Sequence, residues 1–180
     1  MINSMFKDFD ISGFKKMKPP SDNSFDTDQE IKALKKIPLR KKFVKDNDDI
    51  EQAFKKTAKR LKIKDYDNKV AAKLIKESAP IILKLKDHHN RPRPYELDEK
   101  LSAFVMKSMK TPSYPSGHSV QGVLIANVLG DKYPKAKAAF KKTGENISYS
   151  RRVAHAHYKS DSKMGEELGN SMYKHIKNKI

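Results

Sequence analysis

TPSYPSGHSVQGVLIANVLG, residues 111–130, is the stretch on which the fold turns: a Pro-Ser-Gly-His turn runs straight into the most apolar helix-like segment of the chain. Backbone N–H groups at a helix start are unpaired and point outward, and the helix dipole adds partial positive charge, so an anion suits such a turn. The turn is therefore expected to form one wall of an anion pocket, with His118 handling a proton in it. Val120, Val123, Leu124 and Val128 behind it read as core rather than pocket.

Working outward, the flanking segments also read as helices. Downstream, YPKAKAAFKKTGENI (133–147) tolerates Pro134 in its first turn, and a last helix is expected over about 161–176. Upstream, a helical run is expected over about 99–109, preceded by the loop RPRPYELDEK (91–100). Asp67 caps a helix in which Val70, Leu74 and Ile75 recur at helical spacing, and Pro80 either kinks it or divides it from residues 81–86. Thr27 with Glu30, and Asp48 with Glu51, fit the capping box and predict two further helix starts; the second helix carries Ile50, Phe54, Ala58 and Leu61 on one face and lysines on the other. Residues 1–25 show no sustained period and read as a loosely ordered N-terminal arm, leaving 26–180 as the folded domain. No segment alternates apolar and polar residues over a strand length, so the expectation is an all-α, single-domain helical bundle.

Composition bounds the chemistry. The 180 residues hold 39 Lys and Arg against 22 Asp and Glu, a formal charge of +17 that favours anionic partners. There is no cysteine, which excludes disulfides, thiolate metal sites and a thiol nucleophile. Lys7, Asp8 and Asp10 interrupt any secretory leader, and no apolar run approaches 18 residues, so a soluble, cytoplasmic protein is expected.

Three separated stretches combine polar residues that a plain helical bundle has little reason to collect: KDHHNRPRPY (86–95), SYPSGHS (113–119) and SRRVAHAHYKSD (150–161). A phosphoryl group spreads negative charge over its oxygens; Arg offers a planar fork to them and Lys a point charge. Lys86, Arg93 and Arg151 suit that role, with Ser116 as a hydroxyl donor and Gly117 permitting close backbone approach. His157 and Asp161 are four apart, so on a helix the carboxylate could orient the imidazole and stabilise its charge. His155 and His157 form a His-x-His pair, but on a helix they diverge and no further ligands with suitable spacing appear, so no metal site is expected.

The ordered set Lys86, six residues, Arg93-Pro94; Pro115-Ser116-Gly117-His118; Ser150-Arg151, five residues, His157, three residues, Asp161 resembles the tripartite signature of the type 2 phosphatidic acid phosphatase superfamily. That superfamily includes bacterial class A acid phosphatases and vanadium haloperoxidases, and the resemblance covers roughly residues 65–180. Lys84 with Arg91-Pro92 fits the first motif equally well; the Lys86 register is preferred because Arg91 and Tyr95 then match the residues that flank the Arg-Pro in class A acid phosphatases. The resemblance implies a metal-independent phosphatase with no cofactor, acting on phosphomonoesters or on lipid or pyrophosphate-type phosphates. His157 would be the nucleophile, His118 the general acid and then base, and Asp161 the orienting carboxylate; Lys86, Arg93, Ser116, Gly117 and Arg151 would bind the phosphate. A basic surface could also support peripheral membrane contact. The two competing readings are a vanadate-dependent haloperoxidase, disfavoured by the short chain, and a basic nucleic-acid-binding protein with a degenerate site, disfavoured by dispersed charge and the absence of a nucleic-acid-binding motif.

Overall fold

The structure, a computed structural model, describes residues 4–179. Among these the regular structure is entirely helical. In chain order the α-helices are α1 (Ser12–Lys16), α2 (Phe25–Lys35), α3 (Lys41–Asp48), α4 (Ile50–Arg60), α5 (Asn68–His89), α6 (Pro94–Leu97), α7 (Gly117–Lys132), α8 (Lys137–Val153) and α9 (Lys159–Ile176).

The opening stretch forms the central helix. α7 is apolar on nearly every side, and Val120, Leu124, Ile125 and Leu129 are fully buried, as a helix enclosed by others requires. α8 and α9 pack along it, and α5 covers a further side. The main core joins these helices to α4 through Phe54, Leu74, Leu85, Phe140, Ile147 and Leu168. Among the described residues no helix is long and apolar enough to cross a membrane.

Several boundaries differ from the sequence reading. Ser24, not Thr27, caps α2 by accepting the Thr27 N–H, and Asp49, not Asp48, caps α4 by accepting from Gln52. Asp67 caps α5 as expected. Pro80 lies inside that unbroken helix. Residues 99–109 do not form the expected α-helix: only a short 3-10 turn, Lys107–Lys110, appears there. The segment is fixed from outside by the Phe104 N–H on the Ala154 carbonyl and by Arg93 on the Thr111 carbonyl, contacts that local periodicity does not encode. Residues 4–24, part of the stretch expected as a loosely ordered arm, lie against the body: Phe6 is buried, the Met5 N–H donates to Glu77, and Tyr114 Oη donates to the Met17 carbonyl. Residues 1–3 of that stretch lie outside the described residues.

Candidate active site

Four elements bring the polar residues together. α5 delivers Lys86 from its last turn; the segment after it delivers Arg91 and Arg93; the start of α7 delivers Ser116, Gly117 and His118; and the end of α8 with the start of α9 delivers Arg151, His157 and Asp161. Lys86, Arg93, Arg151 and His157 are each at most 5% exposed, whereas Lys84, the alternative lysine of the first motif, is exposed. A main-chain hydrogen bond from Ser116 to the Asp161 carbonyl, 3.1 Å, ties the α7 turn to α9.

The His157 ring has a defined tautomer. Arg93 Nη1 lies 3.0 Å from Nε2, and a guanidinium can only donate, so Nε2 is the acceptor and the proton resides on Nδ1. That proton is donated to Asp161 Oδ2 at 3.0 Å. The two residues do not share one helix as expected. His157 precedes α9, while Asp161 lies in its first turn and also accepts the Tyr158 N–H, so the same carboxylate caps the helix and holds the ring. Burial, and next the charge of Arg93, hold His157 well below the ordinary imidazole range despite its bond to Asp161. Burial alone would raise the Asp161 carboxyl; the hydrogen bond from His157, the charge of Arg91 and the Ser113 hydroxyl reverse this and leave it lowered.

The cations lie close to one another. Lys86 Nζ donates to the Pro112 carbonyl at 2.5 Å, and Arg93 donates to the Thr111 carbonyl from Nε and Nη2 at 3.1 and 3.0 Å. Burial, and after it the charge of Arg93, push Lys86 down to about 7. Arg151 donates from Nη1 to Asp48 Oδ1 at 3.0 Å, and its Nη2 is buried with no hydrogen-bond partner among the described residues. A cleft of about 310 Å³, lined in part by Glu96, Lys110, Thr111 and Pro112, adjoins the backbone that these cations grip. A larger cleft of about 560 Å³ is lined by Lys69, Lys73, Leu74 and Lys132 among others and touches none of these residues.

His118 is joined to Arg151 through Asp48, and no hydrogen bond links it to His157 among the described residues. Its Nε2 donates to the Asp48 carbonyl at 2.9 Å and lies 3.5 Å from Asp48 Oδ1. Burial and then Arg151 lower it, against the bond to Asp48. Ser116 caps α7 and accepts from the Ser119 N–H and hydroxyl. Gly117 is helical, with a negative φ, and an added Cβ would meet Ile82 Cγ2 at 3.4 Å. Ser150 accepts from Arg151 Nε. His155 stands apart, with its nitrogens at the Ser102 and Ile37 carbonyls.

Three participants escaped the sequence reading. Asp48, read there only as a cap, joins His118 to Arg151. Ser113, two residues before Pro115, donates its hydroxyl to Asp161. Glu30, read as half of a capping box, meets Arg91 and Ser160. Each comes from an element whose own sequence gives it a local job, so nothing local signals the distant contact.

No family model matches the chain. Over 60 residues, 33% of this chain, it is 37% identical to a non-specific acid phosphatase of Salmonella typhimurium. The relationship is acid phosphatase-like. It spans 24% of that relative's length.

Proposed function

We propose that the protein is a metal-independent phosphatase that cleaves phosphomonoesters through a phosphohistidine intermediate. The observation that carries this reading is the His157 ring itself: its Nδ1–H is committed to Asp161, while its Nε2 lone pair faces Arg93, one of three neighbouring buried cations with Lys86 and Arg151. A neutral imidazole whose nucleophilic nitrogen is turned towards cations is suited to a phosphoryl group drawn in by those cations. The likeness over 60 residues to an acid phosphatase supports the same class of reaction.

In this mechanism Lys86, both guanidinium groups and the α7 amides surround the non-bridging oxygens. Nε2 of His157 forms a bond to phosphorus as the ester oxygen leaves, and Asp161 stabilises the imidazolium that results. His118, with one proton held on the Asp48 carbonyl, gives its second proton to the departing alkoxide. It then takes a proton from the water that attacks the phosphohistidine, releasing inorganic phosphate and restoring His157. Arg151 and His118 share Asp48, which couples the phosphate-binding cation to the general acid.

The test is a substrate panel of aryl, nucleotide, sugar and lipid phosphates and pyrophosphate, run with chelator on wild type and His157→Ala, with an alkaline denaturing quench, in which a phosphohistidine survives, to trap labelled phosphate. Wild type should turn over and carry label on His157, and the variant should do neither. Near wild-type turnover by pure His157→Ala would sink the mechanism.

A further inference from the structure

We propose that Glu30 and Arg91 form a positioning device that holds the His157–Asp161 couple in its reactive arrangement, an inference that rests on reading His157 as the nucleophile. Arg91 only flanks the Arg93-Pro94 of the preferred register and carries no role in it, and Glu30 lies on α2, far from all three motifs in sequence. Arg91 Nη1 donates to Asp161 Oδ1 at 2.7 Å and to Ser160 Oγ at 2.7 Å. Its Nη2 donates to Glu30 Oε2 at 3.2 Å. Glu30 in turn accepts from the Ser160 N–H at 2.6 Å and from its hydroxyl at 2.7 Å. The guanidinium stacks over the Tyr158 ring, 3.7 Å from its centroid. Glu30 therefore grips both the cation behind Asp161 and the residue beside it.

The consequence for His157 follows from which oxygen is taken. With Oδ1 committed to Arg91, Asp161 offers Oδ2 to the ring, and Ser113 Oγ and the Tyr158 N–H converge on that same oxygen. A carboxylate held at both oxygens cannot rotate away, so the ring keeps its proton on Nδ1 and its lone pair on Nε2. Buried ion pairs contribute little net stability over well-packed apolar residues, so a fully buried Arg91–Asp161 pair is better accounted for by what it orients than by what it stabilises. The charged groups facing the couple are Arg93 and Lys86 on the His157 side, Arg91 behind Asp161, and Glu30 behind Arg91. Charge removed at the two ends of this chain should act in opposite directions. Losing Glu30 leaves Arg91 less offset and makes His157 harder to protonate; losing Arg91 as well leaves Asp161 less offset and makes it easier.

The experiment compares wild type with Glu30→Gln and with the Glu30→Gln/Arg91→Gln double variant, using an aryl phosphate across pH. The His157 tautomer is read independently from ¹⁵N shifts of labelled histidine. In Glu30→Gln, kcat should fall about tenfold while KM stays within about twofold, and the acid limb of kcat/KM should move to lower pH. In the double variant the limb should move to higher pH and His157 should become a mixture of tautomers. Unchanged kcat, limb and tautomer would overturn the proposal, as would losses that follow thermal stability alone with limb and tautomer unmoved. If the double variant does not fold, Glu30→Gln alone decides by the same criteria. A wild type without turnover whose His157 tautomer still responds would defeat the catalytic reading and leave the positioning role standing.

Discussion

At Lys86 burial and the neighbouring charge of Arg93 act in the same direction, against the ammonium. Pushed down to about 7 from an ordinary 10.5, the ammonium is expected to give up its proton near neutrality. If Lys86 binds the anion as proposed, then below about 7 the anion meets a cation already in place. Above it, each binding event must first return a proton to Lys86, so affinity should fall about tenfold per pH unit. On the proposed mechanism His157, held well below 6.5, stays neutral through mildly acid pH. His118 is lowered too and must carry its second proton to act as the acid, so it sets the upper edge of the range favourable to turnover. Sulfate keeps its charge throughout that range, so its inhibition constant should be flat below about 7 and rise above it, and Lys86→Met should flatten the whole profile while weakening binding. An inhibition constant independent of pH in wild type would remove Lys86 from the anion site. The types of these residues were legible because cations, a histidine and a carboxylate at fixed spacing have few other reasons to coincide. Asp48 and Ser113 were not, since a residue that caps a helix or lies in a turn looks the same whether or not its side chain also reaches a histidine.

At the scale of elements, the seam between α7 and α9 sets the distance between the two halves of the site. A Cβ added at Gly165 would lie 2.6 Å from the Ser116 carbonyl and 2.8 Å from Ser119 Cβ, and one at Gly169 would lie 2.5 Å from the Val120 carbonyl. Gly165→Ala gains about 1 kcal/mol in helix propensity, but overpacking costs about 1–3 kcal/mol, and a backbone oxygen cannot turn aside. Overpacking should prevail. The melting temperature should drop by a few degrees, and kcat should drop with it because the same shift separates Ser116 from Asp161. Gly13→Ala, where an added Cβ meets nothing within 4 Å, should change neither and serves as the control. Helices with strong apolar periodicity, such as α4 and α5, were readable from the sequence, as was the all-α class. The segment at 99–109 was not. Leu101 and Met109 are buried there, but its geometry comes from Arg93, Ala154 and His155, which lie at other places in the chain. His157 and Asp161 were paired correctly by their spacing for a different local reason, since the carboxylate reaches back from the first turn of α9 instead of along one helix face.

For the whole molecule, the proposed function divides the work of attracting an anion between the charge of +17 and the buried cluster. The surface lysines, among them Lys55, Lys56 and Lys59 on the outer face of α4, act at long range through water, where screening sets in beyond about 10 Å at 0.1 M salt. On the proposed function Lys86, Arg93 and Arg151, buried as they are, would act at contact, shielded from salt by the protein around them. Added salt should therefore slow encounter without disturbing the chemical step. If phosphate esters are the substrates, kcat/KM should fall about tenfold or more from low to high salt, while kcat, measured at saturation, holds. Replacing Lys55, Lys56 and Lys59 with glutamate should lower kcat/KM at low salt and reduce its salt slope. A kcat that falls in parallel with kcat/KM would mean that salt reaches the buried cations themselves, and the division between steering surface and shielded site would be lost.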